Sequence, residues 1–202
     1  MIITDIVDID RKRSKIYVDN ELLCSLYKGE MIRLGIKKHN ELSQDTLTEI
    51  YSVLYKRARE RSFCILTIRD YTEYEMRNKL KRGYYPEEII CKVIDKLKEY
   101  GYIDDERFVN NYIDRYINDE SKRLIRMKLS SKGISEELIK GKLSNNNIDS
   151  AQIILDKHSK ILNEMIDCDD KTKSKLMSRL LRRGFSFEDI TRASNMLKSN
   201  EV

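Results

Sequence analysis

Residues 79–83 read Lys-Leu-Lys-Arg-Gly, and a phrase of the same kind returns at residues 128–133 (Lys-Leu-Ser-Ser-Lys-Gly) and 179–184 (Arg-Leu-Leu-Arg-Arg-Gly). Each of these basic phrases ends in Gly, and an Ile follows that Gly six residues later. Successive glycines are about 50 residues apart, a period that is typical of helical repeat arrays. The sequence therefore predicts tandem repeats whose cores include Ile89, Ile139 and Ile190.

The overall composition favours helices. Of the 202 residues 36% are charged, and the chain contains seven Gly and one Pro. This composition is typical of long amphipathic helices and excludes an all-β protein. The net charge of +5 is a small difference between 39 basic and 34 acidic residues. Affinity for a polyanion must therefore come from local clusters of basic residues.

Residues 1–70 differ from the rest of the chain. Apolar and polar residues alternate from Ile3 onward, and Asp19 and Asn20 separate two apolar runs. Asp and Asn tolerate the positive φ of a tight turn, so this segment predicts a small antiparallel hairpin or meander. Such a small sheet must pack on a helix. We expect that helix to begin after Ser43 and to run without a break toward Asp70.

From residue 71 the same helix signals recur. Thr72 and Glu75 have the spacing of a capping box, Gly83 is expected to supply the left-handed end of that helix, and Pro86 is expected at the first position of the next. Gly101 ends the second helix, and Asp104 is expected to cap a third. Three-helix repeats are predicted over residues 71–118 and 119–166, followed by a truncated repeat over residues 167–202. The fold class is mainly α, with the small N-terminal sheet packed on a long helix.

Catalytic and metal-binding signals are absent. The run Asp104-Asp105-Glu106 is better explained as helix capping than as paired carboxylates. His39 and His158 have no Cys at zinc-ligand spacing, and His158 is expected at the edge of a core. We therefore predict no enzyme activity, no metal and no cofactor. The widely spaced cysteines are expected to be reduced, and the absence of a leader or an apolar span predicts a cytoplasmic protein.

The basic phrases supply the candidate contacts with a partner. Basic residues meet no acid between residues 171 and 183 or between residues 122 and 132. Each run is either a solvated helix face or a binding surface. The aromatic residues beside the phrases, Tyr84, Tyr85, Phe185 and Phe187, are expected to pack between helices, with base stacking as the alternative. The candidate residues are Lys79, Lys81, Arg82, Lys128, Lys132, Arg179, Arg182 and Arg183.

The segment from Gly101 to Phe108, Gly-Tyr-Ile-Asp-Asp-Glu-Arg-Phe, together with the repeated Gly and Ile spacing, resembles the RecX regulatory family. The resemblance runs from about Thr72 to Leu197. It implies an elongated, curved array of three-helix repeats that binds the RecA recombinase and its filament on single-stranded DNA. It also implies suppression of filament growth, strand exchange and ATP hydrolysis. Direct contact with DNA is expected to be weak or indirect, and the protein is expected to be monomeric.

A direct DNA-binding regulator is the alternative. Helix pairs separated by Gly could act as helix-turn-helix modules. This hypothesis requires a second helix rich in base-reading Arg, Asn or Gln, whereas residues 87–100 begin with acidic residues and continue with apolar ones.

Overall fold

The computed structural model describes residues 1–144, 149–166 and 168–200. Strands β1 (Ile3–Asp8), β2 (Arg13–Val18) and β3 (Glu21–Tyr27) form an antiparallel sheet in the order β1-β2-β3. Asp19 and Asn20 connect β2 to β3 with φ values of 48° and 70°. The predicted meander and its turn are confirmed.

Two helices follow the sheet. The six-residue helix α1 (Lys28–Arg33) was not predicted. The long helix α2 (Gln44–Leu66) is capped as predicted by Ser43, whose side chain accepts from the N–H of Thr46, but it ends before Asp70. The sheet and α2 bury their apolar faces in one core. The sheet is thus stabilised by the long helix.

The rest of the described chain forms eight helices. The predicted capping box is present, since Thr72 Oγ1 accepts from the N–H of Glu75 and the Glu75 carboxylate accepts from the N–H of Thr72. The helices are α3 (Glu73–Lys81), α4 (Glu87–Glu99), α5 (Asp105–Tyr116), α6 (Lys122–Ser131), α7 (Glu136–Ser144), α8 (Ser150–Ile166), α9 (Asp170–Arg182) and α10 (Phe187–Asn200).

The predicted role of Gly83 is wrong. Gly133 and Gly184 have φ values of 80° and 83°, but after α3 the residue with positive φ is Tyr84, at 58°. Gly83 is required for a different reason: a Cβ there would lie 2.7 Å from the ring of Tyr85. Pro86 also differs from prediction, because it is the N-cap of α4 and not its first helical residue.

This difference changes how the repeats align. Tyr84, Gly133 and Gly184 each lie four residues after the buried leucine of the basic phrase. The residue of the first repeat that matches Ile139 is therefore Ile90, and the predicted match to Ile89 is wrong. Ile89 and Ile90 are adjacent, and both are buried. The sequence pattern alone therefore could not decide which of them is equivalent to Ile139.

Three hydrophobic cores group the helices. The first joins the sheet to α2, α3 and α4, the second joins α5, α6 and α7, and the third joins α8, α9 and α10. The chain divides into a first compact unit, Met1–Asp104, and a second, Asp105–Val202. The predicted repeat boundaries instead placed α5 with α3 and α4. A sequence period has no preferred starting point, and the cores begin each group with the helix that precedes the basic phrase.

Candidate functional site

Two of the three cations of the first phrase lie beside groups that interact favourably with a positive charge. Lys81 Nζ is 3.1 Å from Glu87 Oε2 at the start of α4. Lys79 Nζ lies 5.1 Å from the centre of the Tyr71 ring. Arg82 is exposed at the C-cap of α3. Of the three, Arg82 is the most accessible to a partner.

The second phrase lies along an aromatic ladder on α5. Phe108, Tyr112 and Tyr116 follow one another at one-turn spacing, with ring centres 6.1 Å and 4.6 Å apart. Lys132 Nζ lies 5.5 Å from the centre of the Phe108 ring, and Lys128 Nζ lies 5.7 Å from that of Tyr116. These cations therefore cover partly buried rings, a favourable arrangement worth about 0.5–1 kcal/mol at exposed sites.

A carboxylate compensates much of this second cluster. Lys128 Nζ lies 2.6 Å from Glu120 Oε1, and the Glu120 side chain is only 14% exposed. Burial, with Glu120 and Tyr116 nearby, raises the pKa of Tyr112 to about 12. Arg126, in the same acid-free run, pairs with Glu136 at 2.6 Å. Two cations of the run that lacks acids in the sequence, Arg126 and Lys128, are thus paired with acids that lie on either side of it.

The acid-free run that ends in the third phrase is different. Its cations on α9 are all exposed: Lys171, Lys173, Lys175, Arg179 and Arg182. Within the described chain no carboxylate pairs with any of them. Arg182 Nε donates to the carbonyl oxygen of Ser178 over 3.3 Å, which leaves its charge uncompensated. Of the three basic regions, the run on α9 therefore carries the most positive charge without a paired carboxylate.

The turn between α9 and α10 is held by the segment before α6. The N–H of Ser121 donates to the carbonyl oxygen of Arg183 over 3.1 Å, and Arg183 Nη1 donates to the carbonyl oxygen of Asp119 over 3.4 Å. His158 is buried, with Nε2 3.3 Å from the Asp119 oxygen and its ring 5.8 Å from that of Phe185. Burial lowers the pKa of His158. The expected core-edge position of His158 is confirmed.

The aromatic residues beside the phrases differ in their exposure to solvent. Tyr85 and Phe185 are 7% and 2% exposed, so the prediction that they pack between helices is confirmed. For Phe187 the prediction is wrong, since its side chain is 65% exposed at the start of α10. Tyr84 is intermediate, with Lys15 Nζ 4.4 Å from its ring centre.

The candidate residues are divided between the two compact units. Lys79, Lys81 and Arg82 belong to the first unit, and the others belong to the second. Over the described residues no group of three His, Cys, Asp or Glu side chains is placed to hold a metal ion, and no helix is long and apolar enough to span a membrane. The arrangement suits recognition of an acidic or polyanionic surface.

Sequence reasoning missed the aromatic ladder as a feature of the site. Phe108, Tyr112 and Tyr116 have the spacing of the apolar face of a helix, which by itself predicts only a buried side. These rings are spaced by four residues, and so are Lys128 and Lys132. The matching spacing indicates that a stripe of rings on α5 lies beside a stripe of lysines on α6.

Comparison with known proteins identifies relatives along most of the chain. Residues 58–97 match the model of the first three-helix domain of RecX, and residues 104–143 match that of the second. These limits agree with the grouping of helices by the cores. The chain is 35% identical over 190 residues to the regulatory protein RecX of Clostridium acetobutylicum, covering 89% of this chain and 87% of that protein. It is 30% identical to the regulatory protein RecX of Bacillus velezensis, covering 90% of this chain and 71% of that protein.

Two crystal structures share the fold. A regulatory protein RecX aligns with a TM-score of 0.59 and 23% identity, covering 96% of this chain and 98% of the other. RecX from Lactobacillus salivarius aligns with a TM-score of 0.59 and 21% identity, covering 73% of this chain and 98% of the other.

Proposed function

Because the chain belongs to the RecX family of regulatory proteins, we propose that it binds the RecA recombinase and its filament on single-stranded DNA. It inhibits filament growth, ATP hydrolysis and strand exchange, and so regulates DNA repair and recombination. It acts in the cytoplasm by binding and not by catalysis. The observation that carries this proposal is the family relationship over almost the whole chain.

Charge supports a large, partly acidic partner. The basic phrases recur in both compact units, so a partner with repeated acidic or phosphate groups can be contacted at several places. Several weak contacts raise the overall affinity through their effective concentration, without any single strong site. A filament offers such repetition, whereas a small ligand does not.

The primary test is a titration of RecA ATP hydrolysis on single-stranded DNA with the purified protein. We expect inhibition that is complete when the protein is well below one copy per recombinase subunit, since blocking filament growth affects all later subunits. Unchanged ATP hydrolysis and unchanged strand exchange would reject the proposed function.

The contact residues are tested by charge reversal. The variant carries Arg82→Glu, Lys132→Glu and Arg182→Glu; Arg183, also a candidate, is retained because it holds the turn after α9. We expect weaker inhibition with an unchanged helical circular dichroism spectrum. Full inhibition by the folded variant would reject these contacts.

A matched control reverses the same amount of charge elsewhere. Lys28, Lys92 and Lys96 are exposed and pair with Asp8, Glu88 and Glu99. Their reversal to Glu should leave inhibition close to that of the wild type. Equal losses in both variants would mean that net charge alone, and not the position of these cations, determines the effect.

The structure of α4 disfavours the helix-turn-helix alternative. Its five buried residues face the first core, and its exposed Lys92 and Lys96 pair with acids of the same helix. A helix that reads base edges would present uncompensated donors to the major groove. Tight, sequence-selective duplex binding without recombinase would favour that alternative.

A further inference from the structure

The exposed surface of α9 in the second unit is strongly basic, and among the described residues no carboxylate pairs with its lysines or with Arg179 or Arg182. From residue 171 to residue 187 the chain contains six cations and no carboxylate. Asp170, directly before this stretch, lies in the first turn of α9. Asp169 before it is the N-cap of α9, where it accepts from the backbone N–H groups of Lys171 and Thr172. Its charge is therefore directed at the helix end and not along the helix.

Four of these cations share one face of α9. Lys171, Lys175, Arg179 and Arg182 are separated by four, four and three residues, the spacing that places side chains above one another on a helix. The stripe extends about 16 Å along the helix axis. The buried residues of α9, Leu176 and Leu180, lie on the side that packs on the third core. The stripe therefore faces solvent.

The other two basic phrases differ in this respect. In the first, Lys81 pairs with Glu87, and in the second, Lys128 pairs with Glu120. Like charges held close together repel, so an uncompensated stripe raises the free energy of the folded chain. An anionic partner bound along the stripe would remove this cost.

An exposed aromatic ring follows the stripe. Phe187 is 65% exposed, although the residue two places before it, Phe185, is fully buried. Leu181, on α9 itself, is 43% exposed. Phe187 follows Arg182 by five residues in the sequence. Exposed cations and an exposed ring are the side chains by which proteins bind single strands, because cations follow the phosphates while bases stack on the ring.

We propose that Lys171, Lys175, Arg179 and Arg182 on α9 bind the phosphates of single-stranded nucleic acid directly, with Phe187 stacking against a base. We call this surface the α9 strand site. The proposal rests on the proposed function only for its choice of a single strand as ligand. It requires no recombinase for binding, and its test contains none, so the two proposals fail separately.

The test measures fluorescence anisotropy of labelled oligothymidylate with the full chain across a salt series. The variant carries Lys175→Gln, Arg179→Gln and Arg182→Gln, and its fold is checked by circular dichroism. We expect affinity at low salt to fall at least about tenfold and the slope of log affinity against log salt to fall by about 2, since each lost phosphate contact removes about 0.7 from that slope.

The control variant carries Lys28→Gln, Lys92→Gln and Lys96→Gln, which removes the same charge from exposed ion pairs of the first unit. It should retain most of the affinity. Equal losses in the two variants, or no binding by the wild type, would overturn the proposal. The second outcome would assign the surface to an acidic protein instead.

The ring is tested on its own. We expect Phe187→Ala to weaken binding about fivefold or more while leaving the salt slope unchanged, because stacking involves no phosphate. Because Phe187 is exposed, its removal opens no cavity in the core. Unchanged affinity of Phe187→Ala would refute the stacking contact.

Discussion

The backbone N–H of Ser121 donates a hydrogen bond of 3.1 Å to the carbonyl oxygen of Arg183, joining the start of α6 to the turn between α9 and α10. The approach is so close that a Cβ on Gly184 would lie 2.3 Å from Ser121 Oγ and 2.6 Å from Leu124 Cβ. The glycine of the third phrase is thus required by two constraints, a positive φ and contact with another helix.

Substitution of Gly184 by Ala should therefore destabilise the protein strongly. The left-handed backbone costs a non-glycine residue about 1–2 kcal/mol, and the added methyl group overfills the contact at a further cost of about 1–3 kcal/mol. We expect a decrease of about 2–5 kcal/mol in the free energy of unfolding, measured by urea denaturation.

Two other glycines separate these costs. Gly101 has φ of 69° but open space at the Cβ position, so Gly101→Ala should show the backbone cost alone. Gly141 lies inside α7 with open space and no positive φ, so Gly141→Ala should stabilise by about 0.5–1 kcal/mol. Equal effects of Gly184→Ala and Gly101→Ala would contradict the steric argument.

Arg57 links the sheet to the helices of the first unit. Its guanidinium donates to Glu30 Oε2 over 2.8 Å and to the carbonyl oxygen of Ser25 over 2.6 Å, and it lies 5.4 Å from the centre of the Tyr85 ring. Arg57 and Glu30 side chains are each 18% exposed. We expect Arg57→Met to lower the free energy of unfolding by about 2–4 kcal/mol, because a mostly buried carboxylate loses its partner.

The double variant Arg57→Met and Glu30→Gln should recover part of that loss, since no unpaired carboxylate remains. The exposed pair of Lys92 and Glu88 is the control, and Lys92→Met should change stability by less than about 0.5 kcal/mol. Chemical denaturation of all three variants checks both expectations. An equal cost for Arg57→Met and Lys92→Met would contradict a special role for Arg57.

Much of the fold was predictable because its signals are local. The caps at Ser43 and Thr72 and the turn at Asp19 and Asn20 depend on residues close in the sequence, and all are confirmed. The role of Gly83 was wrongly predicted because a glycine is needed both where φ is positive and where another group packs closely against the backbone. Its distance to the Tyr85 ring, which decides between these roles, is a property of the folded chain.

The candidate site was less predictable because charge compensation depends on tertiary structure. The acid-free runs around Lys128 and on α9 look alike in the sequence. Glu120 and Glu136 pair with two cations of the first run, Lys128 and Arg126, from outside it, whereas the described residues provide no such carboxylate for the second. Exposure of Phe187 beside buried Phe185 likewise follows from how the turn packs.

Cys24 provides a probe of the first core. Its side chain is fully buried on β3, and burial raises the pKa of its thiol to about 12. Cys64 is exposed on α2. Because the thiolate is the reactive form, we expect an alkylating reagent to modify Cys64 rapidly and Cys24 only when the first unit unfolds.

The measurement uses a variant in which Cys64, Cys91 and Cys168 are replaced by Ser, so that Cys24 is the single thiol. Its labelling rate should rise with urea in parallel with the unfolding transition. Labelling of Cys24 in the folded variant as fast as that of Cys64 in the wild type would contradict the buried position of Cys24 on β3.

His158 should make the stability of the second unit depend on pH. Its ring lies against Phe185, with Nε2 beside the Asp119 carbonyl oxygen. Burial, together with the charges of Arg183 and Arg179, lowers the pKa of His158, and the contact with Asp119 opposes this shift only in part. The unfolded chain therefore binds the proton more readily than the folded one. The stabilisation is fully present above the unfolded pKa of about 6.5 and is lost as pH falls through that value toward the lower folded pKa.

We expect the midpoint of thermal unfolding to fall between about pH 7.5 and about pH 5, and His158→Gln, which stays neutral, to reduce this dependence. His39→Asn is the matched control, because His39 is exposed and Asn tolerates its φ of 70°. The control should retain the pH dependence of the wild type. If His158→Gln retained the full dependence as well, other groups would have to be its source.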